Sequence, residues 1–322
     1  MKPFFALLAG LLLIVSNPCR VWAWGDFGHR VIAQIAFDNL NDTATAKVKE
    51  LIQDCGYTQL DQLAADGLGE HASQEGMPTD LSLLDISVWP DHILALPEYR
   101  LTTYPWHYTA VEYGQNAQKG DIDSFCHGNN CLTLQIDTEI GVLSDATASI
   151  KQKFVALVFL TNLVGDAHVP LNCADYNDQE GSAKYFMAKG HHEISLHGFW
   201  NNLLSGTPPP GNPTDYARDL ETQITADDRK QWQAGTVYDW VWESYMIAAT
   251  KIYPLSVFQS GPQNVKVDSL GFMALINGNP KITKKVPFPD EFYTDEYKNI
   301  VQDQLRKAGL RLAWLLNNAL GQ

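Results

Sequence analysis

At 322 residues and 45% hydrophobic content, the chain can bury a large core in one or two domains, which excludes a disordered or fibrous polypeptide. A formal charge of −14 excludes a broad basic surface that would grip nucleic acid through Lys and Arg. It leaves room for a local cationic site made by bound metal.

Taken in order, residues 1–23 carry Lys2, an apolar run from Phe4 to Val15, and Val21-Trp22-Ala23 ahead of Trp24. Charge, apolar core and small residue in that order make a secretory signal peptide, and the run is too short for a comfortable membrane span. A secreted or periplasmic destination follows, with a mature region, 24–322, that begins on Trp24. From Gly28 apolar residues recur at helical spacing to Leu40, and a second helical pattern runs from Thr43 to Ile52. His29 sits on the first turn of the first helix. A lone His there is ordinarily structural, but a new α-amine at Trp24 would add a chelating group five residues away.

Residues 56–80 are loop-rich, with Gly56, Gly67, Gly69, Gly76 and Pro78. Ser87-Val-Trp-Pro-Asp91 and Tyr104-Pro-Trp-His107-Tyr108 follow. They bring a carboxylate and an imidazole, the donors that hard and borderline divalent metals prefer. Cys126 and Cys131 bracket a turn-rich His127-Gly-Asn-Asn130, which predicts a local disulfide in an oxidising compartment. Cys55 and Cys173 are then left to each other by elimination alone.

Residues 132–150 read as a short helix, and Lys151 to Asp166 as a long one that is apolar nearly all round and therefore buried. Asn162 and Asp166 are four apart on one face, so the Asp166 carboxylate points inward, a costly placement unless a cation or donor meets it. His168, two residues further on, points elsewhere. Asp175 to Gly190 is polar and turn-prone, and His191 and His192 read as a solvated loop. Leu196 to Asn201 opens a helix that places His197 and Asn201 on one face, and Gly206 to Pro213 is an exposed connection. Tyr216 to Ile224 and Gln231 to Tyr253 are helical, Pro254 to Pro289 reads as a surface excursion, and Tyr293 to Leu320 is a long amphipathic helix. The pattern is one mainly α-helical domain with a little β in the excursions.

Seven motifs then stand in a telling order: Trp24-Gly-x-x-Gly-His29, Trp-x-Asp91, Trp-His107-Tyr, Gly-Asp166-x-His-x-Pro-Leu, Leu-His197-x-x-Trp, Trp-x-Glu-Ser244 and Ala-Gly-x-Arg-Leu-Ala313. From Trp24 to about Asn317 the chain resembles the zinc-dependent single-strand-specific nucleases of the S-one/P-one type, whose fold zinc phospholipase C shares. The resemblance implies a mainly helical domain holding three zinc ions at the bottom of a cleft. It assigns the Trp24 amine and carbonyl, His29 and Asp166 to one zinc. Asp91, His107, Asp166 and position 162 would hold a second, and positions 172, 197 and 201 a third, with Asp166 bridging the first two. Asp91 and Asp166 are thereby the catalytic carboxylates. The implied chemistry is in-line attack on phosphorus by a zinc-activated water, the third zinc stabilising the leaving 3′ oxygen. Tyr108 would stack on the base beside the scissile phosphate, which favours single-stranded DNA or RNA, or nucleotides, over duplex.

Three expected ligands are amides in this chain: Asn162 and Asn172 stand for histidines and Asn201 for an aspartate. Leu94 stands where a phosphate-contacting Arg is expected. Amide oxygens are weak zinc ligands, so one or two of the three zincs are expected to bind tightly. Two further readings follow: a silent relative acting as a binding protein, and a phospholipase C-like hydrolase. The enzyme is expected to act as a monomer without a membrane span.

Overall fold

The computed structural model describes residues 24–55, 81–94, 96–113, 117–183, 185–187, 193–201, 211–254 and 295–321. The expected leader, the loop-rich 56–80, His191 and His192, and most of the Gly206–Pro213 and Pro254–Pro289 segments lie outside these residues.

Helix α1 (Gly25–Asp38) follows Trp24, which is held left-handed at φ 44°, and buries Val31, Ile32, Ile35 and Ala36. Helix α2 (Asp42–Asp54) starts where the Asn41 side chain accepts the Ala44 N–H at 2.8 Å, a cap for one of the helix's orphan donors. Two short helices come next. Ser82 and Asp85 form a capping box on α3 (Leu83–Ile86), and α4 (Trp89–Ile93) carries Pro90 in its first turn, where a missing N–H costs nothing. Helix α5 (Pro97–Thr103) tightens into a 3-10 turn, Tyr104–His107, and strand β1 is only Val111–Glu112. Cys126 and Cys131 form the predicted disulfide just before α6 (Leu132–Ser144).

Helix α7 (Ile150–Asp166) opens on a Ser149–Gln152 capping box and then buries nearly every residue from Phe154 to Asp166, as its all-round apolar sequence requires. A 3-10 turn, Pro170–Cys173, carries the chain into β2 (Ala174–Asp175), which pairs parallel with β1. Strands β3 (Tyr185–Met187) and β4 (Glu193–Ser195) form an antiparallel pair that leads directly into α8 (Leu196–Asn201). Helices α9 (Pro213–Glu221), α10 (Ala226–Trp232) and α11 (Val237–Ile247) follow, and α12 (Asp295–Leu320) closes the chain. Gly309 lets α12 lie so tightly on α1 that an added Cβ would come within 2.5 Å of the Ile35 side chain.

The described chain is thus mainly α, as expected, and no described helix is long and apolar enough to cross a membrane. Three boundaries differ from the periodicity. The helix expected from Gln231 to Tyr253 is broken by Gly235 at φ 88° and restarted by a Thr236–Asp239 capping box. Helix α6 stops at Ser144, because Asp145 accepts the Thr147 N–H and folds the backbone into a turn. Helix α9 starts three residues early, since Asn212 caps it and Pro213 suits its first turn. Cys55 and Cys173 do not pair; their buried thiols donate to Ile52 O and Ala167 O.

Candidate metal centre

Helix α7 delivers Asp166 to the interior at its last turn, with no solvent exposure. Three other segments meet it there. The turn after α5 brings His107, whose Nδ1 lies 2.7 Å from Asp166 Oδ2 and 3.6 Å from Asp91 Oδ1. Helix α1 brings His29, whose Nε2 lies 3.2 Å from Asp91 Oδ2 and 3.6 Å from Asp166 Oδ1. Helix α4 brings Asp91 itself. The start of α1 is tied to the same point, because the buried Trp24 indole donates to Gly165 O at 2.9 Å. The chain's first described residue is thereby tied to the residue that precedes Asp166.

Ligand atoms of Asp91, His107 and Asp166 all lie within 4.8 Å of one another. Two carboxyls crowded together in a dry interior cannot both ionise unaided. Burial, and then the neighbouring Asp166, push the Asp91 carboxyl up to about 8; burial alone drives Asp166 well above the carboxylate range. Burial also lowers His107, with Asp91 opposing, so its imidazole is a neutral donor atom. Its Nε2 is buried without a hydrogen-bond partner. Paired acids and a neutral imidazole at such separations fit a divalent ion, whose charge offsets the burial of both carboxylates.

Asn162 and Asn172 turn their amide nitrogens toward the carboxyls. Asn162 Nδ2 donates to Ser87 O at 2.9 Å and to Asp91 Oδ2 at 3.0 Å, and two acceptors at one nitrogen identify it as the NH2 end. Asn172 Nδ2 donates to Asp166 Oδ1 at 3.3 Å. Both Oδ1 atoms are buried without a hydrogen-bond partner. Each amide thus presents N–H to a carboxylate where an imidazole would present a lone pair.

His197 stands apart on α8. Its Nδ1 bonds Glu180 O at 2.9 Å and therefore carries the proton, leaving a buried Nε2 lone pair without a hydrogen-bond partner. Burial lowers its pKa to about 4. Asn201, buried at the end of the same helix, sets its backbone carbonyl near Gly25. Tyr108 is half-buried between Tyr104, 5.0 Å away between ring centres, and His197, 6.1 Å away. Leu94 follows α4 directly and supplies no charge there.

Sequence reasoning named Ser87 and Gly165 only as members of their segments and missed their roles: Ser87 orients Asn162 through its carbonyl, and Gly165 makes room for His29. A Cβ at 165 would lie 2.8 Å from His29 Nδ1, so the ring reaches Asp166 only across a glycine. A lone glycine inside an otherwise apolar helix is the signal that could have marked it.

The raised carboxyls predict a pH dependence for metal-free protein. A group whose folded pKa exceeds its unfolded value contributes stability at low pH that is lost as pH rises through the folded pKa. For Asp91 that window runs from 3.8 to about 8. His168, lowered to about 3 first by burial, contributes the opposite slope, lost as pH falls from 6.5 to about 3. Above pH 6.5 only the carboxyl slope remains. Thermal unfolding of EDTA-treated protein should therefore show Tm falling from pH 6.5 to 8, and added divalent metal should raise Tm more at pH 8 than at pH 6.5. Equal shifts at both values would contradict the arrangement.

The family model described as S1/P1 Nuclease matches residues 24–321. Among curated relatives, "Endonuclease 5" of Arabidopsis thaliana is 24% identical over 305 residues, covering 91% of this chain and 89% of that one. "Endonuclease 4" of the same plant is 24% identical over 336 residues, 98% of this chain and 95% of its own. With the match running through α1, α4, α7 and α12 alike, the chain belongs to the S1/P1 nuclease family.

Proposed function

We propose that this chain is an exported, zinc-dependent phosphodiesterase that cleaves single-stranded nucleic acid and 3′-nucleotides. The observation that carries the reading is the convergence of His29, Asp91, His107 and Asp166, from four separate segments, inside a member of a nuclease family. Asp91, His107 and Asp166 would hold the ion, with His29 completing the set from α1. When bound, the ion polarises the phosphoryl group and lowers the pKa of water beside it. The chain's own part is to aim the ligands: Asn162, held by Ser87 O, orients Asp91, and Asn172 orients Asp166. Loading the site releases the protons that burial places on the two carboxyls. Tyr108 offers a ring beside His197 for an unpaired base.

Cleavage after Ala23 is part of the proposal. Trp24 stands left-handed at φ 44° at the head of α1, with its indole bonded to Gly165 O. The amine freed at Trp24 would then lie at the head of α1, close to His29.

A second reading, a catalytically silent relative that binds rather than cuts, is favoured by one observation: the amides of Asn162 and Asn172 are engaged as donors to the carboxylates. One experiment separates the two. Protein beginning at Trp24 is expected to hold one or two zinc ions by mass spectrometry and to hydrolyse single-stranded DNA until EDTA is added. Metal uptake without turnover favours the silent relative, and absence of metal overturns both. Activity on phosphatidylcholine instead would point to the phospholipase branch.

A further inference from the structure

Three sequence features remain unused by the metal centre: His168, the Glu243-Ser244 pair of α11, and Arg311 of α12. His168 and Ser244 bond one stretch of backbone directly, and Arg311 and Glu243 stand behind His168. A helix leaves its last four carbonyls without intrahelical partners, and α7 ends in the interior where water does not serve them. Every carbonyl from Val164 to His168 is nonetheless met. Val164 O accepts from His168 Nδ1 at 2.7 Å, and Gly165 O from the Trp24 indole at 2.9 Å. Asp166 O accepts from the Val169 N–H at 2.9 Å. Ala167 O accepts from Ser244 Oγ at 2.6 Å, and His168 O from Gln304 Nε2 at 3.0 Å.

These donors are themselves locked together. Gln304 Nε2 also donates to Ser244 Oγ at 3.0 Å, joining α12 to α11. His168 spends its proton on Val164 O, so its Nε2 is an acceptor, and Arg311 donates to it at 2.8 Å. Arg311 is in turn fixed by Glu243 at 2.7 Å and by Trp232 O at 2.8 Å. His168, Ser244, Gln304 and Arg311 are all buried, so the bonds among them and to the Ala167 and His168 carbonyls are shielded from water, while Glu243 is partly exposed.

We infer that Ser244 and Gln304, backed by Arg311 and His168, are positioning residues: they pin the peptide groups on the C-terminal side of Asp166 and so aim its carboxylate at His107 and His29. This rests on the metal-centre reading above. A simple helix cap needs its carbonyls satisfied but is indifferent to where the Asp166 side chain points. The carboxylate here makes contacts of 2.7 Å to His107 and 3.3 Å to Asn172, and both depend on the turn after Asp166 staying where it is.

The test uses the full mature protein and three variants: Ser244→Ala, Ser244→Thr and Gln304→Ala. Zinc affinity is read by competition with a chromophoric chelator, and ligand geometry by the visible spectrum of the cobalt-substituted protein. Ser244→Ala and Gln304→Ala are each expected to weaken zinc binding about 10–100-fold, the usual effect of losing support behind a ligand, and to alter the cobalt spectrum. Ser244→Thr, which keeps the hydroxyl, should recover both. Val48→Ala, a core truncation on α2 that removes no hydrogen-bond donor, should lower Tm while leaving affinity and spectrum as in wild type. Wild-type affinity and spectrum in both alanine variants, or an equal change in Val48→Ala, would overturn the inference. A crystal structure of metal-free Ser244→Ala gives a reading that needs no bound ion. Movement of Asp166 out of contact with His107 supports the inference and an unchanged contact refutes it, whereas failure of wild-type protein to take up any divalent ion counts against the function alone.

Discussion

Asp166→Asn is expected to empty the metal centre and to lower hydrolysis of single-stranded DNA on the order of a thousandfold, about 4 kcal/mol in the barrier. Asp166 is in contact with His107, His29 and Asn172 together, and the substitution removes its charge with almost no change in size. The same variant should make metal-free protein more stable. Without an ion, the wild type buries Asp166 beside Asp91 with both carboxyls raised, and an amide at 166 relieves that crowding. A gain of about 1–3 kcal/mol is expected, a rise of several degrees in Tm for EDTA-treated protein at pH 8. Metal analysis, steady-state rates and thermal unfolding on the same preparation check all three. A variant that keeps its metal and its rate would remove Asp166 from the chemistry.

Gly165→Ala carries the second large effect, and its sign is opposite to what helix propensity suggests. In an exposed helix interior the change to alanine would stabilise by about 1 kcal/mol. Here the new methyl would stand 2.8 Å from His29 Nδ1, 2.9 Å from its Cε1 and 3.2 Å from Ile32 Cδ1. His29 is wholly buried and cannot yield without shifting α1, which the Trp24 indole bond holds against this same residue. The expected result is a loss of about 1–3 kcal/mol in unfolding free energy, typical of overpacking, with a marked loss of metal affinity as His29 leaves Asp166. The double variant His29→Ala, Gly165→Ala separates the causes, since the clash disappears with the ring and the stability lost at 165 should largely return. A stabilising Gly165→Ala on its own would show that the ring does not press on the helix.

Much of the scaffold was legible from local pattern. Helices α1, α2, α7 and α12 lie where apolar spacing places them, because each buries a face that the sequence itself marks. The break before α11 was not, since the residues on either side of Gly235 continue a helical rhythm and only a local cap decides the interruption. The disulfide was legible from two cysteines around a turn, while elimination suggested a Cys55–Cys173 pair that burial in separate backbone pockets does not form.

For the site, the amino-acid order alone determined which groups are on offer: two acids, the imidazoles of His29, His107 and His197, and three asparagines. It also determined that Asp166 must be buried, because a helix apolar on every side has no exposed face on which to put it. Only the tertiary structure decided that Asn162 and Asn172 turn their N–H groups to the carboxylates, and that His168, set aside by its spacing, braces the turn behind Asp166. The physical reason is that a hydrogen bond is made with whatever acceptor lies within reach, and those acceptors arrive from segments far apart in the chain. Spacing along a helix gives a side chain its direction; packing gives it a partner.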